Sequence, residues 1–160
     1  MNTIEIIRRS ELFVGLDNED IQKIVNLPSC KTKAYEDQEI ICEAGKEAQH
    51  LYIIDEGQVN LVLKQPSNSS QSTEPTLFRT IMRGGVFGWT ALVPPHFHMG
   101  TAISKGTSRV VSISGDEIRT LFDKEPKIGY EVSNALLKII ASRVWNIERL
   151  LLIGKRSPFI

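Results

Sequence analysis

The spacing of apolar residues divides this chain into three stretches of different period. Thr3 to Arg9 reads as a short helix. Asp17 opens a second one as its N-cap, with Asp20 three residues on. Ile21, Ile24 and Val25, followed by Leu27, give that helix one apolar face, and Pro28 ends it. From about residue 29 to residue 113 the period falls to two. Lys31 to Tyr35, Glu39 to Cys42, Leu51 to Ile54 and Gln58 to Leu63 read as strands. Glu43-Ala44-Gly45 and Asp55-Glu56-Gly57 read as the turns between them. Strands resume at Leu77 to Met82, Thr101 to Ser104 and Ser108 to Ile113. The intervening run from Gln65 to Pro75, rich in Ser, Asn, Gln and Pro, reads as a long hairpin loop.

The third stretch is helical again. Ser114-Gly115-Asp116-Glu117 opens a helix through Phe122, and Pro126 takes the first position of another that runs to about Leu152. Roughly 26 residues at helical rise make a rod of about 39 Å. Along it Leu137, Ile140, Val144, Ile147 and Leu151 recur at spacings of three and four, the seam of a coiled coil. An amphipathic helix commonly packs on its own domain. A small barrel cannot cover so long a rod, so the spacing predicts a homodimer through this helix.

Many short strands without a βαβ unit predict a mainly β fold with flanking helices, an antiparallel jelly-roll barrel followed by a long C-terminal helix. The expected organisation is a helical lead over 1–28, a barrel over 29–113 and C-terminal helices over 114–160. With 160 residues these form one domain. Lys plus Arg and Asp plus Glu each number 19, so no global field draws the chain to nucleic acid or to an anionic membrane. No apolar run approaches the ~20 residues of a membrane span, and the N-terminus lacks a signal-peptide pattern, so a cytoplasmic protein is expected. Cys30 and Cys42 read as two reduced thiols, with a disulfide or redox pair as the alternative. Without a CxxC spacing they do not supply an iron–sulfur cluster.

The candidate chemistry lies in Gly84-Gly85-Val86-Phe87-Gly88-Trp89-Thr90-Ala91-Leu92-Val93-Pro94-Pro95, running on to Thr101-Ala102. Its glycines permit close backbone approach, and Trp89 to Leu92 reads as one helical turn stopped by Pro94-Pro95. A glycine-rich turn feeding a helix N-terminus suits an anion. Yet no Asp, Glu, Lys or Arg occurs from Gly84 to Ser104. His96-Phe97-His98 has the His-x-His spacing of a metal pair on a strand, but no carboxylate follows it and His50 lies far upstream. No nucleophile–base arrangement stands out. Neither a metal, a cofactor nor an enzyme activity is expected.

Leu12-Phe13-Val14-Gly15-Leu16, Glu39-Ile40-Ile41-Cys42-Glu43-Ala44-Gly45 and Leu51-Tyr52-Ile53-Ile54-Asp55-Glu56-Gly57-Gln58-Val59 stand in one order, before Arg109 to Ile113 and Gly115-Asp116-Glu117. This series resembles the cyclic nucleotide-binding domain, and more narrowly the sensor half of the CRP/FNR-type bacterial regulators. The resemblance places the family's phosphate-binding cassette on the glycine-rich segment. It implies ligand-binding roles for Gly85, Phe87, Gly88, Trp89, Thr90, Ala91, Leu92, His98, Met99, Gly100 and Thr101. In members that bind cyclic AMP, a cassette Glu takes the ribose hydroxyl and an Arg pairs with the phosphate. Here Trp89 stands at the Glu position, and the Arg position falls within Phe97-His98-Met99. Losing a desolvated phosphate–Arg pair costs about 2–5 kcal/mol, or roughly 30-fold to several thousandfold in affinity. Arg79 and Arg83, which flank the segment, are the candidates to compensate. What the resemblance implies is a non-catalytic sensor that does not hold cyclic AMP tightly, takes a small ligand of other identity, and signals through a dimeric helix. Two alternatives are an interaction module whose pocket Trp89 closes, and the sensor half of a longer regulator. Few residues follow Leu152, too few for a recognition helix, so specific DNA binding by this chain is not expected.

Overall fold

Two strands of 14 residues carry the architecture, where the sequence pattern suggested four short ones. The computed structural model describes residues 2–63 and 76–154; the expected hairpin loop at 65–75 lies outside the described residues. Helices α1 (Thr3–Arg9) and α2 (Asn18–Val25) lead into strands β1 (Lys31–Tyr35), β2 (Ile40–Cys42) and β3 (His50–Leu63). Then come β4 (Thr76–Ile81), β5 (Val86–Phe87), a single 3₁₀ turn (Trp89–Ala91) and β6 (Thr101–Ser114), before helices α3 (Gly115–Lys124) and α4 (Pro126–Gly154). The Asp17 side chain accepts the Asp20 N–H at 2.9 Å, so the expected N-cap is in place.

Strands β3 and β6 run antiparallel along their whole length, and their pairing shifts register between Ile54 and Gln58. The expected turn at Asp55-Glu56-Gly57 is therefore a bulge inside one bent strand, and the break expected after Ser104 is likewise interior to β6. The bend splits the fold into two antiparallel layers. In the first, β1 pairs with residues 108–112 of β6, which pair with the start of β3, which pairs with β5. In the second, β2 pairs with the start of β6, which pairs with the end of β3, which pairs with β4. This is a jelly roll in which both long strands belong to both layers.

Period-two alternation then assigns the faces. Tyr52, Ile54, Phe87 and Val110 of the first layer meet Val59, Ile81 and Ala102 of the second in one interior cluster. Their neighbours Leu51, Ile53, Val86, Val111 and Ile113 point the other way, into a second cluster with residues of all four helices. Where β3, β5 and β6 form it, the first layer is thus buried on both faces, while β1 is exposed up to Tyr35. Helix α4 joins this second cluster through Ile128, Val132 and Leu136, with Ile139 and Ile140 packed at its margin. Beyond Arg143 its described side chains are exposed. A short network fixes where α3 begins. Ser29 donates to Glu117 Oε2 from its backbone N–H at 3.0 Å and from its hydroxyl at 2.6 Å, and the Ser114 N–H donates to Ser29 Oγ at 2.8 Å. Among the described residues no helix is long and apolar enough to cross a membrane.

Gly57 is the tightest point of the bend. Its φ is +81°, and a Cβ there would stand 2.5 Å from the Thr107 carbonyl oxygen and 2.8 Å from the Ser108 Cα. Gly106, with φ +68°, has open space around the same position. Left-handed backbone alone costs a non-glycine residue about 1–3 kcal/mol. Gly106→Ala should therefore lose only that amount in urea unfolding, while Gly57→Ala loses distinctly more. Equal losses at the two positions would contradict the close packing of the bend.

Candidate functional site

The cassette segment is held from three directions. Gly85 closes the turn after β4, its N–H donating to the Met82 carbonyl at 3.0 Å and its own carbonyl accepting from Ile54 at 3.1 Å. Phe87 is buried in the interior cluster and stacks on Tyr52, with ring centroids 4.8 Å apart and planes 12° from parallel. Gly88 follows at φ +71°. A Cβ on it would stand 2.6 Å from the His50 carbonyl oxygen and 2.8 Å from the Tyr52 ring, so glycine is required at this contact. Thr90, Ala91 and Leu92 are all buried.

The 3₁₀ turn leans on the C-terminal helices. Arg119 of α3 donates to the Ala91 carbonyl, and a Cβ at Gly115 would lie 2.5 Å from that same oxygen. Gly129 of α4 faces Phe122 of α3, where a Cβ would stand 3.0 Å from the Phe122 Cβ. Cassette, α3 and α4 form a continuous packed series.

Trp89 is half-buried and packs on the helix-side cluster. It does not line the cleft described next. The expectation that Trp89 closes a pocket is corrected here: Tyr35, Tyr52 and Phe87 fill the space between the layers. After the cis Pro94–Pro95 peptide the chain pairs with the loop before β3. The Gly45 N–H donates to the His98 carbonyl at 2.8 Å, the His98 N–H to the Lys46 carbonyl at 2.9 Å, and the Ala48 N–H to the His96 carbonyl at 2.7 Å. Thr101 Oγ1 accepts the Ala44 N–H at 3.1 Å. Gly100 lies against Val62, where a Cβ would come within 3.1 Å of a carbonyl oxygen.

This pairing shapes a cleft of about 510 Å³ whose lining includes Cys42, His50, Tyr52 and His98. Three charged side chains border it: Glu43, Glu47 and Lys46. The balance is against an anion. Burial, and then nearby His50, pull the His98 imidazole below its ordinary 6.5, so at neutral pH it carries no charge to offer a phosphate. Met99 is 78% exposed and absent from the lining. Arg79 and Arg83 line a separate cleft, so neither supplies the missing cation here.

The metal alternative fails on geometry. His96 has φ +59° and its Nδ1–H donates to the Thr90 carbonyl at 2.9 Å, while His98 faces the cleft, so the pair does not share one strand face. Among the described residues no cluster of His, Cys, Asp and Glu is arranged to hold a metal. Cys30 and Cys42 are free thiols in different clusters, each pushed up to about 11, chiefly by burial. Thiols raised so far are poor nucleophiles at neutral pH.

Reading the sequence missed Cys42, His50 and Tyr52 as cleft residues, together with Glu43, Lys46 and Glu47. Tyr52 stood inside a motif read for the fold alone. The only signal was its alternation with Ile53, which already sets it on the opposite face from the helix-side core.

Comparison with known proteins follows the same lines. The sequence model of the cyclic nucleotide-binding domain matches residues 32–125, more than half of the chain. None of the curated proteins compared with the chain matches it in sequence. Among solved structures, a cyclic nucleotide-binding domain from Methylobacillus flagellatus superposes with a TM-score of 0.78 at 18% identity, covering 99% of this chain and 85% of that one. The catabolite activator protein of Thermus thermophilus gives 0.74 at 18% identity, over 91% of this chain and 63% of that one. The regulatory subunit of a cAMP-independent protein kinase A from Trypanosoma brucei gives 0.70 at 17%, over 86% and 46%. The chain thus spans less than two thirds of the last two. Likenesses at such identities establish the fold and nothing finer.

The His98 environment has a measurable consequence. A folded-state pKa below the unfolded value of about 6.5 means the unfolded chain binds the proton more readily. The resulting stability is fully present above pH 6.5 and is lost as pH falls through the lower folded value. His98→Gln should flatten that part of the stability–pH profile, and NMR titration of the wild-type ring should give a midpoint below 6.5. A midpoint at or above 6.5 would contradict its burial beside His50.

Proposed function

Because the chain belongs to the cyclic nucleotide-binding domain family, we propose that it is a non-catalytic sensor whose cassette cleft takes a small ligand other than a tightly held cyclic nucleotide. One observation carries this reading: among the described residues that line the cleft there is no arginine, and two glutamates and one lysine border it. A cyclic phosphate placed there meets net negative charge, a neutral imidazole and two raised thiol and phenol groups, Cys42 and Tyr52. A neutral or cationic ligand with an aromatic or apolar body suits the Tyr52 face and the glutamates better. The Trypanosoma neighbour, a cAMP-independent kinase subunit, is consistent with this fold serving without cyclic AMP.

The signal route proposed is mechanical. A ligand that shifts the cassette turn moves Ala91 against Gly115 and Arg119, and α3 passes the shift to α4 across Phe122 and Gly129. Leu137, Val144, Ile147 and Leu151 of α4 are exposed, as are Trp145 and Leu150. So broad an apolar stripe supports a homodimer through the outer half of α4. Ile140 belongs less to that seam, since it is half-buried against the helix-side cluster. The second reading, an interaction module without a ligand, draws support from the filled interior.

Calorimetric titration with cyclic AMP at about 0.1 mM should give no saturable heat, consistent with the roughly 30-fold or greater loss expected without the arginine. Tight binding would sink the charge argument. Thermal shift against neutral and cationic metabolites separates the two readings: stabilisation by any of them supports the sensor, and a flat response across the panel supports the interaction module.

For the dimer, sedimentation equilibrium at micromolar concentration should give twice the 18.0 kDa chain mass. The double variant Val144→Glu, Leu151→Glu should give the monomer. A monomeric mass for the unaltered chain would overturn the seam.

A further inference from the structure

The arginines missing from the cassette cleft are gathered elsewhere. A second cleft, of about 350 Å³, opens where the end of α1, strand β4 and the Gly84-Gly85 turn meet. Arg9, Arg79 and Arg83 line it, and Glu11 is the one carboxylate among its described lining residues. From α4 a fourth guanidinium reaches the same place: Arg143 Nη2 lies 3.6 Å from Glu11 Oε1. That carboxylate oxygen is already engaged, accepting the Val86 N–H at 3.1 Å.

These charges are poorly matched. Arg143 Nε and Nη2 are buried without a hydrogen-bond partner among the described residues. Burial first, and then the like charge of Arg79, disfavour its charged form against the pull of Glu11. Among the described residues neither Arg9 nor Arg79 takes part in an ion pair, while Arg83 lies 4.0 Å from Asp55. Guanidinium groups pair with phosphate oxygens as planar forks, and several of them around one cavity favour a ligand with many oxygens. The volume and the number of forks exceed what one phosphoryl group needs.

We propose that this cleft is an anion site for a compact diphosphate, seated between Arg9, Arg79 and Arg83 with Arg143 behind it. The site is independent of the cassette cleft. Its lining comes from the helical lead, β4 and the β4–β5 turn, and it meets α4 through the Glu11–Arg143 pair, so an occupant ties α4 to the barrel through that pair.

The test is calorimetric titration of the full chain at low ionic strength with two probes, inorganic pyrophosphate and ADP. The expected result is saturable binding of at least one probe at one site per chain. Arg79→Ala should weaken it at least tenfold and Arg9→Glu should weaken it similarly, while Lys105→Ala, on the exposed β6 bend, should leave it unchanged. Both arginine positions reach solvent, and circular dichroism checks that the variants fold. Equal affinity for the two probes assigns the site to the diphosphate alone, and tighter ADP assigns it to a nucleotide. Absence of saturable binding by either probe overturns the proposal. So does binding that Arg79→Ala leaves intact, or that Lys105→Ala weakens as much.

Discussion

Everything in this fold hangs on the joint bend of β3 and β6. Asp55 sits at that bend with its carboxylate buried, held by Arg109, which also reaches Glu56 Oε1 at 2.7 Å. Across the neighbouring β6 turn, Ser104 and Ser108 share a hydroxyl–hydroxyl hydrogen bond of 2.6 Å, and Ser104 also donates to the Gly106 carbonyl. A buried ion pair gains little net stability over an apolar substitute, but it tolerates few alternative geometries. What it supplies here is register. With Asp55 bonded to Arg109, whose register partner is Glu56, the pairing on either side is fixed, and the two layers are forced to face each other.

From that register the rest follows. Facing layers create the interior cluster, and a first layer buried on both sides must be covered by helices. The cover determines where α3 can start. Ser29 and Glu117 anchor it, and the family's cassette turn is left wedged between α3 and the edge strand β5. The contacts of Ala91 with Gly115 and Arg119 are therefore consequences of the sheet topology rather than local accidents. They make the cassette a natural point from which to move the C-terminal helices.

Elements with one strong local signal were legible in the sequence. The Asp17 cap, β1, the 3₁₀ turn and the Pro126 start of α4 all rest on short-range chemistry that a sequence carries openly. The two bent strands were not, because a glycine with positive φ marks a turn and a bulge equally well. Only the partner strand decides between them. The cassette's backbone role was legible from Gly85 and Gly88 for the same short-range reason. The cleft was not, since all of its described lining except His98 comes from residues 40–52, brought to His98 by backbone pairing between segments some fifty residues apart. Trp89 misled because its size suggested a plug. Its direction is set by a turn that faces it toward the helices.

The distribution of cations sharpens what the fold's name leaves open. A fold fixes where a ligand can enter, and charge decides which ligand gains by entering. Here the cleft beside His98 is bordered by two glutamates and one lysine, while Arg9, Arg79 and Arg83 line a different cavity beside Glu11. The formal charge of the chain is zero, so this is not a general excess of basic residues but a local segregation of them. Keeping guanidinium groups together is costly, and Arg143, whose Nε and Nη2 make no hydrogen bond among the described residues, has Glu11 at 3.6 Å as its counter-charge. Gly84 and Gly85 line the arginine cleft at the start of the segment that runs on into the 3₁₀ turn. The gathered arginines therefore lie at the joint between the lead helix and the barrel, apart from the packed contacts that the cassette turn makes with α3.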